Sequence, residues 1–218
     1  IYSLAYEKQP SDLFLRVVQE TIDHLLHTWK LENGFFLTSI DADSDGEEGL
    51  YYVISYDELN GLLDSDLFEQ VVNYYQITTV GNMLDEATQQ ELGLNIFHPT
   101  SEFADFDIID FRKKIKQFRL EHRTHPTKDG SVSLSANALL AYGLFESARV
   151  FSNSEWEVIG QGIIEACFNQ IQSNREAVYL DDVVYFLRAC NISTHLDRYQ
   201  SQISYAWDLL LDAFYDFQ

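Results

Sequence analysis

The sequence predicts an all-α protein built of antiparallel helical hairpins, with one small β-hairpin inserted. Three observations predict it. Apolar residues recur at helical spacing through most of the chain. Turn signals of Gly, Pro, Asn and Asp separate the periodic segments. Residues 34–56 break the helical rhythm, with runs of β-formers on either side of an Asp/Gly/Ser cluster.

Residues 11–30 open the helical pattern with Phe14, Val18, Ile22, Leu25 and Trp29 in phase. Pro10-Ser11-Asp12 starts this segment and Asn33-Gly34 ends it. The β-insertion follows. Phe35, Phe36, Thr38 and Ile40 form one flank, Tyr51, Tyr52, Val53 and Ile54 the other. Ser55 and Glu58 are spaced as a capping box for a short helix through Leu63. Residues 65–75 form a second, with Leu67, Phe68, Val71, Val72 and Tyr75.

Periodicity fades over 76–105, where Gly81-Asn82, Gly93 and His98-Pro99 punctuate the chain. Residues 105–122 are helical again, with Ile108, Phe111, Ile115 and Phe118 on one face. Arg112, Lys113, Lys114, Lys116 and Arg119 on this helix, with Arg123 just beyond it, are expected to form a solvated cationic face, in preference to a polyanion site, because the rest of the chain is so acidic. Four helices complete the chain. Residues 135–151 carry Leu140, Leu144 and Ala148. Residues 154–172 carry Trp156, Ile159, Ile163 and Cys167, with Ser154 and Glu157 as a capping box. Residues 181–190 are short and apolar. Residues 194–217 are the clearest amphipath, through Leu196, Tyr199, Ile203, Ala206, Leu210 and Phe214. The expectation is one helical domain over residues 1–218.

Composition bounds the function. With 14 basic and 35 acidic residues the formal net charge is −21, and the pI is near 4.4. That charge opposes binding to nucleic acid and to anionic membranes. No apolar run is long enough to span a bilayer. The chain begins with Ile1, and Met83 is its one methionine, so it reads as a piece of a longer product. Cys167 and Cys190 are isolated, which suggests a reducing, cytoplasmic setting and buried thiols. No cofactor or metal is expected, and the six histidines show no HExxH-type spacing.

The chemistry-bearing candidates are carboxylates. Asp41-x-Asp43-x-Asp45-Gly46 matches the first half of an EF-hand loop, but Tyr52 stands where the bidentate Glu is required. Calcium bound in another geometry is a minor alternative. The preferred reading is an acidic rim of a binding cleft, formed by Asp41, Asp43, Glu47 and Glu48. Asp129-Gly130 is explained by turn chemistry alone. Asp181-Asp182 is explained most simply as a helix N-cap. The functional reading has these sites meeting at one end of a helical barrel, where a carboxylate pair does general acid/base work on a sugar. Thirteen tyrosines, fifteen phenylalanines and three tryptophans permit stacking on sugar rings, although most aromatics serve the core.

The segment GFFLTSIDADSDGEEGLYYVISYDEL resembles the signature of YyaL-type proteins, the spermatogenesis-associated thioredoxin-like family. Leu94 to His98, Arg123-x-x-Pro126-x-x-Asp129 and Leu180-Asp181-Asp182 extend the similarity in order. The resemblance implies an N-terminal thioredoxin-like domain, which this chain lacks, and a six-hairpin (α/α)6 toroid like those of sugar epimerases and glycosidases. By its count of long helices the chain holds an incomplete barrel. It departs from the family's Pro-x-x-Asp-Asp-Lys and Trp-Asn-Gly patterns. Asp129 and Asn137 match, whereas Gly130, Ser131, Ala136 and Ala138 do not.

Two functional readings follow. The first is a carbohydrate-active barrel with Asp43, Glu47, Asp129, Asp181 and Asp182 catalytic, and Asp41, Glu48, Tyr52, Arg123 and Asn137 binding a small sugar. It expects Asp43→Asn and Asp182→Asn to remove turnover without lowering the melting temperature. The second is a non-catalytic binding module derived from such a barrel. Either one exposes faces that self-association or a completing polypeptide would cover.

Overall fold

The computed structural model describes residues 1–85, 88–101, 104–193 and 196–214. Among them the chain is predominantly helical, with two small antiparallel ladders. In chain order the elements are α1 (Tyr2–Lys8), α2 (Asp12–His24), β1 (Asp43–Ser44), β2 (Glu47–Glu48), β3 (Ile54–Ser55), α3 (Tyr56–Leu62) and α4 (Ser65–Tyr75). Then come β4 (Leu94–Asn95), α5 (Ile108–His122), α6 (Leu134–Phe151), α7 (Ser154–Ser173), α8 (Leu180–Ile192) and α9 (Gln200–Phe214). No described helix is long and apolar enough to cross a membrane. The chain forms two compact units, residues 1–39 with 130–218, and residues 40–129.

In the first unit α6 packs against both α7 and α8. Its buried face, Ala138, Ala141, Leu144, Phe145 and Ala148, recurs every three to four residues. Small residues let the helices approach. A Cβ on Gly160 of α7 would stand 2.7 Å from the Phe145 ring. Trp156, Ile163, Ile164, Val183, Phe186 and Leu209 fill the rest of the core. Helix α2 continues into one π-helical turn, Leu25–Trp29, and the chain then folds back around Asn33-Gly34. Helix α1 precedes the first expected helix and is absent from the sequence reading.

The second unit packs α3, α4 and α5 around Leu59, Phe68, Val71, Tyr75, Phe111 and Ile115. The expected capping box is present: the Ser55 hydroxyl accepts the Glu58 N–H, and Glu58 accepts the Ser55 N–H at 2.8 Å. Buried Asn95 donates to the carbonyl of Ile54, a member of this core, at 3.4 Å. It accepts the Thr78 N–H and donates to the Thr78 carbonyl.

Three expectations are corrected. The β-insertion is smaller than predicted: β1 pairs with β2 inside the acidic cluster, around Asp45-Gly46. Both turn residues have positive φ, 54° and 81°, the requirement of a two-residue type I′ hairpin. The aromatic flanks do not pair with each other. Phe35, Phe36 and Leu37 bury in the first unit, while Ile54 and Ser55 pair with Leu94 and Asn95 in the second. The N-cap of α7 is Asn153, not Ser154: its side chain accepts the Glu155 and Trp156 N–H groups. The last expected helix, 194–217, appears as a 3₁₀ turn, Leu196–Tyr199, followed by α9. Thr194, His195 and residues 215–218 of that segment lie outside the described residues.

Candidate functional site

The expected site residues divide between the two units. Asn137, Asp181 and Asp182 lie in the first, and Asp41, Asp43, Glu47, Glu48, Tyr52, Arg123 and Asp129 in the second.

In the first unit, Asp182 is buried in the first turn of α8 and joins two helix starts. One carboxylate oxygen accepts the Ser135 N–H at 2.8 Å, the other the Tyr179 N–H at 2.9 Å. These donors would otherwise be orphans at the N-terminal ends of α6 and α8. A carboxylate placed there is also favoured by both helix dipoles. Asp182 is thus more than the local cap the sequence suggests, because its second partner is 47 residues away. Asp181, beside it, is exposed.

Asn137 is also fully engaged. Its side chain accepts the Phe36 N–H at 2.8 Å and donates to the Phe36 and Ser133 carbonyls, both at 2.9 Å. It acts as a side-chain substitute for a strand partner and fixes the segment carrying Phe35 and Phe36. The Ser133 hydroxyl caps α6 by accepting the Ala136 N–H.

These caps border a cavity of about 720 Å³. Its wall includes Asn33, Ser133, Ser135, Gln170, Asn174 and the Asp181–Asp182 pair. Two aromatics, Phe35 and Tyr179, belong to the same wall, and Tyr179 is 73% exposed. The sequence reading missed Asn33, Ser133, Ser135, Gln170, Asn174 and Tyr179 as site residues. The one available signal was Tyr179, an aromatic immediately before Leu180-Asp181-Asp182.

Two thiols lie in the neighbouring core and take no part in this wall. Burial pushes Cys167 up to about 12, with the Asp182 carboxylate adding to the effect. Burial likewise pushes Cys190 up to about 12. Neither is a nucleophile at neutral pH.

In the second unit the acidic hairpin lies against the 123–129 loop. The Ser44 hydroxyl donates to the Thr124 carbonyl, the Asp41 N–H donates to the Thr127 carbonyl, and Tyr51 packs on His125. Asp41, Asp43, Asp45, Glu47 and Glu48 are all exposed, and Asp43 stands directly across from Glu48. Among the described residues no group of three or more His, Cys, Asp or Glu side chains is placed to hold a metal ion. Asp129 is exposed in the loop after α5.

Arg123 reaches inward, donating to both Glu58 oxygens at 2.8 and 2.9 Å. Its guanidinium also lies over Phe118, 5.1 Å from the ring centre. Burial raises the Glu58 pKa, but the Ser55 N–H, Arg123 and the Ser55 hydroxyl outweigh it. They hold the carboxyl below its usual range. Tyr52 is half-exposed; its carbonyl accepts from Arg119 at 2.7 Å, and the same guanidinium lies over its ring.

No known family model matches the chain, and no curated protein matches it.

Proposed function

We propose that the protein is a saccharide-binding helical domain of (α/α)6 toroid type, related to the YyaL-type family, and that the cavity beside α8 takes a small polyhydroxylated ligand. The observation that carries this reading is the cavity wall. Side-chain amides from Asn33, Gln170 and Asn174 and hydroxyls from Ser133 and Ser135 supply both donors and acceptors. The exposed Tyr179 ring supplies a face on which a sugar ring can stack. The volume of about 720 Å³ suits a ligand of one or two rings.

The Asp181–Asp182 pair in the same wall favours a second reading, in which the bound sugar undergoes general acid/base chemistry. Binding without turnover has the better support, because both Asp182 oxygens already accept backbone N–H groups. The cytoplasmic setting belongs to the same proposal, supported by two buried free thiols. So does a second copy or completing polypeptide. Trp207, Leu211 and Phe214 form an exposed apolar stripe on α9, and sedimentation equilibrium reads its partner directly.

The test is calorimetric titration with a panel of mono- and disaccharides, followed by product analysis. The proposal expects one class to bind, Tyr179→Ala to weaken it about tenfold through lost stacking, and no product to form. Absence of binding across the panel, or binding indifferent to Tyr179→Ala and Asn174→Ala, overturns it. Product formation transfers the assignment to the enzymatic reading.

A further inference from the structure

A second cavity, remote in chemistry from the first, lies between α1, α2 and α6. We propose that it binds a small apolar alcohol or phenol. Its volume is about 350 Å³, at the lower end of the range of ligand pockets. Val18, Ile22 and Leu25 of α2 and Leu140 and Leu144 of α6 make it predominantly apolar. The space opens to solvent, and apolar surface gathered into a pocket of this size is what a small apolar ligand buries on binding.

The polar end of the occupant follows from Glu146, which lines the cavity and is 8% exposed. Its Oε2 accepts two bonds from Arg149, at 3.2 and 3.0 Å. Its Oε1 has one long bond, from the Tyr142 hydroxyl at 3.4 Å. A buried carboxylate oxygen with so little donation has an acceptor position to offer. Arg149 is shared between Glu146 and Glu7 and reaches Glu146 only through Oε2, which leaves Oε1 to accept from a neutral hydroxyl. A carboxylate head would meet a like charge in apolar surroundings.

Helix α1 closes one side and is pinned at both ends. The Ser3 and Ser147 hydroxyls bond at 2.8 Å in a buried pair, and Glu7 bonds Arg149 at 2.6 and 3.1 Å. Tyr2, Leu4 and Leu139 remain 48%, 40% and 39% exposed around the opening, giving an apolar entrance.

Gly143 provides the test. It lines the cavity, and a Cβ added there meets no atom within 4 Å. Leucine also forms helix better than glycine, so Gly143→Leu blocks the space without unfolding the helix. The whole chain is titrated with 1-octanol, octanoate and octylamine, read by calorimetry and by amide shifts. The expected result is saturable 1-octanol binding, with shifts at Thr21, Gly143 and Ser147. Octanoate should bind at least about tenfold more weakly. Gly143→Leu should weaken 1-octanol by at least about tenfold and Gly143→Ala by about threefold, with no fall in melting temperature. Failure of 1-octanol to saturate, shifts confined to other residues, or unchanged affinity in Gly143→Leu overturns the site. Octanoate binding as well as 1-octanol, or octylamine binding better, overturns the neutral-hydroxyl assignment.

Discussion

Replacing Asp182 tests whether one side chain joins the starts of α6 and α8. Asp182→Ala removes two charge-assisted hydrogen bonds, to the N–H groups of Ser135 and Tyr179. Bonds of this type contribute roughly 1.5–3 kcal/mol each. Tyr179 is exposed, so its freed N–H regains water; Ser135 is half-buried and regains less. The lower half of the range is therefore the right one, and the expected loss is about 3 kcal/mol. Asp182→Asn keeps one acceptor but turns an NH₂ toward the other donor, for a loss of about 2 kcal/mol. Urea unfolding followed by tryptophan fluorescence isolates the effect, because Trp29, Trp156 and Trp207 all lie in the first unit. A loss below about 1 kcal/mol in Asp182→Ala would refute the reasoning. The sequence reading expected Asp182→Asn to leave the melting temperature unchanged, and the geometry predicts the opposite.

Further outcomes follow from the same geometry. Asn137→Asp should destabilise the first unit more than Asn137→Ala, since a carboxylate would face the Phe36 and Ser133 carbonyls; paired urea titrations compare them. Arg123→Ala should lower the stability of the second unit by about 1–3 kcal/mol, measured by hydrogen exchange at Phe111 and Ile115. Glu58 adds a pH signature. Its folded pKa is depressed, so its contribution is present above the ordinary Glu range and is lost as pH falls through the folded value; Arg123→Ala should flatten that acid-side decline. Cys167 and Cys190 should resist a thiol reagent in the native protein and react on unfolding. Their raised pKa values of about 12 favour the folded thiol, so stability should fall as pH rises from about 8.5, the unfolded thiol value, towards 12.

Local signals were legible in the sequence. Ser55-x-x-Glu58 announces a capping box, and the structure has one. Val71, Phe68 and Tyr75 set the phase of α4, whose bounds match the expectation of 65–75. A hairpin was legible in the Asp/Gly/Ser cluster but its turn was not: Asp45-Gly46 takes two positive φ values and pairs residues inside the cluster, not the aromatic flanks. Asn153 and Ser154 are both good caps, and one position cannot be chosen from propensity alone. Longer-range facts were hidden. Phe35–Leu37 and Val53–Ile54 have the same β-forming character, yet they bury in different units, which pattern alone does not specify. Asp182 reads as an ordinary cap until Ser135 is seen against it. Gln170 and Asn174, polar residues near the end of an amphipathic helix, carry no mark of the cavity they border.

The central claim is that the wall around Tyr179 and Asn174 holds a small polyhydroxylated ligand. The most direct measurement is an amide-shift titration of the isotopically labelled chain with the saccharide panel. The account predicts saturable shifts clustered at Ser133, Ser135, Gln170, Asn174 and Tyr179, with the midpoint moved to about tenfold higher saccharide concentration in Tyr179→Ala. Shifts clustered on the Asp41–Glu48 hairpin instead, or none from any saccharide, would contradict it.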